Sequence, residues 1–339
     1  MRHLWLRAMM FFVVAFYALL FVSGLMTPKE SRDRSILEKQ RLVETIQQKE
    51  ETAREHLMND PGLLNAVSLS FLLVLAAGLA FGARALYCRL KNGHWPVESL
   101  SSLEVRWGPR EVFQVLVLLL FVEACLFLLQ AAFRILLELH GDVPDSFLLL
   151  GSLLRDCVIL GCVWALVRFI HNQGFRELGL RFEKAVAHLR TGFIAYLATI
   201  PVLLVVFTVT AWVTQAFSLQ PEPQGVVQLY LKPSTERFLI PLTFFVALLG
   251  PVMEEVLFRG FAFAGLKKRF GVLGGACVSS AAFAAMHMNW AVFVPVFVLG
   301  MILTYLYEHS GSLVPSITLH ILHNVVMVAL TLGFKELSS

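Results

Sequence analysis

Two adjacent carboxylates and an arginine, Glu254-Glu255-Val-Leu-Phe-Arg259-Gly260, sit inside a long apolar stretch of this chain. Charged groups in hydrocarbon-facing sequence are costly and rare, and they mark working sites by default. Two further polar clusters interrupt apolar runs downstream, Phe283-Ala-Ala-Met-His287 and His320-Ile-Leu-His323-Asn324. Acid, base and amide in three separate apolar runs have the makings of one buried hydrolytic centre.

The spacings assign roles. Glu255 and Arg259 are i,i+4 and share a helix face, so an ion pair there lowers the cost of both charges. Glu254 lies about 100° around the helix and is free to do chemistry. The alternative is that all three form only a buried salt-bridge network. Glu254 lies 17 residues before Gly271 and His287 lies 16 after it. If the chain turns at Gly271, both reach the same depth, about 25 Å along their helices. A carboxylate and an imidazole at one depth can hold and deprotonate a water molecule. Phe283, one turn before His287, would pack beside them. His320 and Asn324 are again i,i+4, and together could stabilise a tetrahedral oxyanion. His323 faces elsewhere and reads as structural. A competing arrangement is metal: Glu254, His287 and His320 would make a zinc ligand set. No His-Glu-x-x-His pair supports it, so no cofactor is expected, with zinc as the lesser reading. Glu123, Arg134, Arg155 and Asp156 also fall in apolar runs, belong to no motif, and read as structural pairs.

Composition says what must position these groups. The chain is 57% hydrophobic and 15% charged, with a mean hydropathy of +0.71, which fits an all-α polytopic membrane protein. The formal charge is only +4 and the basic residues are spread over short loops, which argues against nucleic acid. The five cysteines, Cys88, Cys125, Cys157, Cys162 and Cys277, show no zinc or disulfide spacing and read as core thiols. Apolar runs fall near 8–26, 63–83, 112–137, 147–170, 192–217, 239–266, 271–289, 291–308 and 313–333. That makes about nine spans, with eight as the fallback. The first run is longer than the core of a signal peptide and has no evident cleavage site, so it reads as a retained span. Basic residues alternate with the spans so as to put the N-terminus in the cytoplasm. Glu138, Asp142 and Asp145 mark an opposite, outer loop. Between spans 1 and 2 a polar stretch, 28–60, carries Ile36, Val43, Ile46, Ala53 and Leu57 on a heptad-like seam, interrupted by Lys39 and Glu50. It reads as an extramembrane amphipathic helix, 31–58. The seam would let it pair with a copy of itself or with a partner; a helix laid on the membrane surface fits equally. The stretch from Tyr87 to Glu111 reads as a cytoplasmic loop. It divides an N-terminal accessory region, 1–110, from a catalytic bundle, 111–339, whose motifs lie in 250–325.

Glu254-Glu255-x-x-x-Arg259, Phe283-x-x-x-His287 and His320-x-x-x-Asn324 resemble, in order and spacing, the three motifs of the CAAX prenyl protease and bacteriocin-processing (CPBP) family. The likeness covers roughly 190–333. It implies a helical membrane bundle and an intramembrane endopeptidase, a kind often labelled metalloprotease. On the matching positions, Glu254 and His287 would activate water, His320 with Asn324 would form the oxyanion hole, and Glu255 with Arg259 would brace the site. The extra N-terminal span and outer helix differ from a compact eukaryotic enzyme. They suggest a bacterial inner-membrane protein acting on a peptide or membrane-protein substrate without a prenyl group. The alternatives from other classes are a non-catalytic membrane scaffold or immunity factor, and a transporter. The transporter lacks an evident inverted repeat.

Overall fold

The computed structural model describes residues 4–26, 29–92, 104–136, 144–219, 225–231 and 238–338. Among these the chain is helical throughout, with no strand: α1 (Leu4–Met26), α2 (Lys29–Asn59), α3 (Pro61–Asn92), α4 (Pro109–Leu136), α5 (Asp145–Ala165), α6 (Ala185–Ala216), α7 (Gly225–Leu231), α8 (Leu239–Phe244), α9 (Gly250–Glu255), α10 (Ala264–Met286), α11 (Trp290–Ser310) and α12 (Val314–Leu337). Three stretches of wider, π-type winding interrupt or extend these helices, at Leu166–Ile170, Phe245–Leu249 and Val256–Phe263. Eight helical stretches among the described residues are long and apolar enough to cross a membrane, and the protein is a polytopic helical membrane bundle.

The longest of the eight, Leu239–Met286, is doubled back on itself. Gly271 has φ 69° and ψ 179°, outside any helix. Beyond it the chain returns antiparallel. Ser279 Oγ donates to the Phe258 carbonyl at 2.8 Å, and Gly275 lies against the backbone of Lys267. The stretch therefore supplies two arms, which reconciles eight helices with the nine apolar runs. The returning arm, 272–286, is about 22 Å long at ~1.5 Å per residue, short of the ~30 Å of hydrocarbon. It ends at Met286, so His287 caps the short arm rather than lying within it.

Packing centres on this hairpin. Trp107, Ile159, Val163, Val167 and Phe261 form one buried cluster that seals it to α4 and α5. Tyr196, Leu299, Leu303 and Leu319 form another that binds α6, α11 and α12. The first three helices are attached to the bundle rather than set apart from it: α1 packs on α4 and α3 on α6. At Gly78 of α3 the absent side chain lets the helix meet the Leu197 carbonyl and the Pro201 ring. Pro201 has no N–H for that carbonyl, so close backbone contact falls where α6 is already irregular. The helix over the polar stretch is formed, and Ala53, on its seam, is buried. The helix lies against the bundle at this level, because α2 packs on α12 and α3 and Lys49 Nζ reaches Ser338 Oγ at 3.5 Å. The helix α3 runs on to Asn92, past the limit of its apolar run. Glu138, Asp142 and residues 93–103 of the 87–111 stretch lie outside the described residues.

A backbone at φ 69° and ψ 179° is one that glycine alone adopts freely. Nothing crowds the Cβ position there, so Gly271→Ala isolates conformational strain. It is expected to cost about 1–3 kcal/mol. The measurement is thermal unfolding of the detergent-solubilised protein, where an unchanged midpoint would show that the turn does not depend on glycine.

Candidate active site

The site is assembled around one fully buried ion pair. Arg259 Nη1 donates to Glu255 Oε1 at 2.7 Å, and both side chains are 0% exposed. Three other helices contribute contacts to it. From α12, His320 Nδ1 lies 3.0 Å from the same Glu255 oxygen. From α11, the Gly300 carbonyl accepts from Arg259 Nη2 at 3.3 Å. From α10, the Phe283 ring lies under the guanidinium, 4.4 Å from ring centroid to Cζ. The Cβ position at Gly300 is only 3.3 Å from Arg259 Nη2 and 2.9 Å from Ser280 Cβ, so glycine is what admits the guanidinium. The glycine that closes the first motif, Gly260, likewise abuts the Leu178 carbonyl, with no room for a side chain.

Glu254 is placed differently from its neighbour. Its side chain is 36% exposed, and Oε2 is 3.6 Å from His320 Nε2. His320 thus stands between two carboxylates. Glu255, salt-bridged to arginine, can only accept, so the proton on that edge belongs to His320 Nδ1. The Nε2 edge then faces Glu254, at a distance longer than a direct hydrogen bond. His287 Nδ1 lies 3.0 Å from the Phe283 carbonyl; a carbonyl also only accepts, so Nε2 of the neutral ring is left with its lone pair. Phe283 is 1% exposed and meets the rings of Phe258, His287 and His320 edge-on, with centroids 5.3, 5.1 and 5.6 Å away. It is the shared wall of the site.

Glu254 and His287 line one half-open cavity, together with Met253, Leu257, Phe258, Phe283 and Met286. The depth match expected from the count around Gly271 holds: acid and imidazole face one space. The opposite wall comes from α4 and α5 and carries Leu119, Arg155, Asp156, Ile159 and Leu160. Arg155 and Asp156 had read as purely structural. A charged pair next to each other in an apolar run was their signal, but only the packing of α5 across from α9 sets them on this cavity.

Asn324 uses one of its two N–H groups on a neighbouring element. Its Nδ2 donates to the Val246 carbonyl at 2.9 Å, and the reason is local. In the π turn Phe245–Leu249 the Gly250 N–H bonds to Phe245 O, five residues back. The next donor in that register would be residue 251 to Val246, and residue 251 is proline. The orphaned carbonyl is satisfied from α12 by Asn324, which still has a second N–H. His323 turns away, its ring 6.4 Å from that of Tyr196. No three His, Cys, Asp or Glu side chains among the described residues gather closely enough to hold a metal ion.

The link between Asn324 and Pro251 has a measurable signature. Asn324→Ala leaves a buried carbonyl unpaired and is expected to destabilise by about 1–3 kcal/mol. Pro251→Ala restores an N–H in the right register, so the double variant should regain much of that loss in thermal unfolding. A double variant as unstable as the sum of the singles would remove the capping role.

Comparison with known proteins bears on the same stretch. No curated protein and no solved structure matches the chain. Residues 236–326 match the family model described as type II CAAX prenyl endopeptidase Rce1-like. All three motifs lie inside the matched residues, and over this segment the chain is similar to type II CAAX prenyl endopeptidases, consistent with the CAAX prenyl protease and bacteriocin-processing family.

Proposed function

We propose that the protein is a glutamate-dependent intramembrane endopeptidase that hydrolyses peptide bonds without a metal ion. The family match supports an integral membrane, CAAX-protease-like endopeptidase. The observation that carries the finer reading is the unequal pair of glutamates. Glu255 is consumed by Arg259 and His320, while Glu254 stands part-exposed at a cavity that it shares with His287.

The chemistry follows from those placements. A water molecule in the cavity donates one hydrogen to Glu254 and the other to His287 Nε2. Glu254 takes the first proton as the water oxygen attacks the scissile carbonyl carbon. The carbonyl oxygen becomes an oxyanion, stabilised by the protonated Nε2 of His320 and by the second N–H of Asn324. Glu254 then returns its proton to the amide nitrogen, the carbon–nitrogen bond breaks and the amine leaves, while the acid's remaining proton passes to His287 Nε2 and the other product leaves as a carboxylate. Glu255 and Arg259 hold His320 in register throughout.

The substrate is a peptide or membrane protein without a prenyl group, and the protein resides in a bacterial inner membrane with its N-terminus in the cytoplasm. Basic side chains support this orientation. Arg106, Arg110, Lys184, Lys267, Lys268 and Arg269 sit near the ends of α4, α6 and α10, and Lys268 reaches the Val105 and Arg106 carbonyls. The helix α2 and the end of α12 meet at the opposite end of the bundle.

Purified protein, wild type and variant, is to be assayed on plain and farnesylated peptides, with and without a zinc chelator. Glu254→Gln and His287→Ala are each expected to lose about 10²–10⁴ in rate while keeping the wild-type unfolding midpoint. Loss of activity to chelator, restored by zinc, would sink the metal-free mechanism. Orientation has its own readout in a cysteine-free background. An impermeant thiol reagent should label Glu44→Cys in intact cells and Arg269→Cys only after lysis; the reverse pattern would invert the topology.

A further inference from the structure

The wall of the cavity that faces Glu254 and His287 is built by α4 and α5, outside the residues matched to the family. It is not neutral. Arg155 Nε donates to Asp156 Oδ1 at 2.8 Å, and Arg155 Nη1 donates to Glu123 Oε1 at 2.6 Å. One cation is thus shared by two carboxylates, and all three side chains are partly exposed, at 23, 17 and 36% for Arg155, Asp156 and Glu123. Glu254 adds a further carboxylate on the other wall. The other residues lining the space, His287 apart, are Leu, Ile, Met and Phe.

We infer that Asp156 is a specificity-determining residue that selects a basic side chain, lysine or arginine, beside the scissile bond of the substrate. This rests on the endopeptidase reading above. The physical reason is charge balance in a half-enclosed apolar space. With Arg155 engaged by two acids, the cavity keeps a surplus of negative charge, and apolar walls strengthen its field by lowering the local dielectric. A cationic side chain entering between Asp156 and Glu254 compensates that surplus, and its alkyl stem packs on Leu119, Ile159 and Leu257. An anion, such as a free peptide C-terminus lodged next to the cleaved bond, would enter against two carboxylates. Its one attractive partner, Arg155, is already held by Asp156 and Glu123. A two-wall division results: the three motifs on α9, α10 and α12 supply the reaction, and α5 supplies the preference.

The test separates binding from cleavage. His287→Gln protein in lipid nanodiscs, unable to turn over, is titrated with fluorescent peptides that differ at one position beside the scissile bond, carrying Lys, Gln or Glu. The lysine peptide is expected to bind at least about tenfold more tightly than the glutamate peptide, with a gap that narrows as salt rises. Asp156→Asn should shrink the gap and Asp156→Lys should reverse it. Equal binding of the three peptides, or tighter binding of the glutamate peptide, overturns the proposal on the unaltered α5 wall, whatever the Asp156 variants do. The same series is then run for hydrolysis with wild-type protein. A lysine preference in binding without any hydrolysis would remove the endopeptidase reading and leave the acidic cavity standing. Hydrolysis without charge preference would do the reverse.

Discussion

Burying an arginine and a glutamate together, with neither exposed at all, sets the terms for the rest of this bundle. Desolvating two charges costs several kcal/mol per ion, and their mutual attraction offsets this only when the remaining donors and acceptors are also met. Here three different helices meet part of that need, with the His320 imidazole from α12, the Gly300 carbonyl from α11 and the Phe283 ring from α10, while Glu255 Oε2 and Arg259 Nε are buried without a hydrogen-bond partner. Each contact fixes the rotation and depth of one helix against α9. The cation–π contact with Phe283 alone is of the order of 2 kcal/mol when water is excluded. Removing either charge would strand the other, at about 3–5 kcal/mol. The ion pair is therefore less a source of net stability than a specification of which helix stands where.

The same accounting explains the irregular winding around it. A π turn inserts one residue and shifts backbone donors out of step with acceptors, which in a membrane leaves a cost of several kcal/mol per unmet group. This protein meets those groups with side chains from neighbouring elements. Asn324 serves Val246, Ser279 serves Phe258, and the Trp107 indole N–H serves Phe261 at 2.9 Å. The two π stretches flank α9, a segment of six residues that carries both glutamates. The wider turns thus rotate Glu254 and Glu255 relative to a straight helix, and the side-chain bonds hold that rotation.

Much of this was legible in the sequence where the relation was local. The i,i+4 pairing of Glu255 with Arg259 is as expected, because four residues always share a face even where the winding begins to widen. The hairpin was readable because Gly271 follows three basic residues, and counting from it set Glu254 and His287 at one depth. The π turns were not readable. A one-residue change of register alters neither composition nor apolar period, and Pro251 was the only trace. The bond of Asn324 to Val246 was not readable either, because it depends on a carbonyl freed on another helix. Arg155 and Asp156 were likewise opaque, since nothing in α5 itself says which helix it will face. The polar helix α2 was found, but not that it would rest on α12.

Glu254 and Glu255 are chemically identical and adjacent, so their separate fates come wholly from surroundings. A base that acts on water must be able to touch water. In an apolar bundle that requires an opening, and an opening weakens the dielectric confinement that makes a lone carboxylate reactive. The bundle resolves the conflict through His320. Its Nδ1 edge is fixed by a carboxylate that never meets solvent, and its Nε2 edge stands 3.6 Å from one that does. The dry half of the site is thereby coupled to the wet half by a single ring whose tautomer the dry half dictates. The orientation of the ring beside the exposed glutamate is then set by contacts that solvent cannot reach.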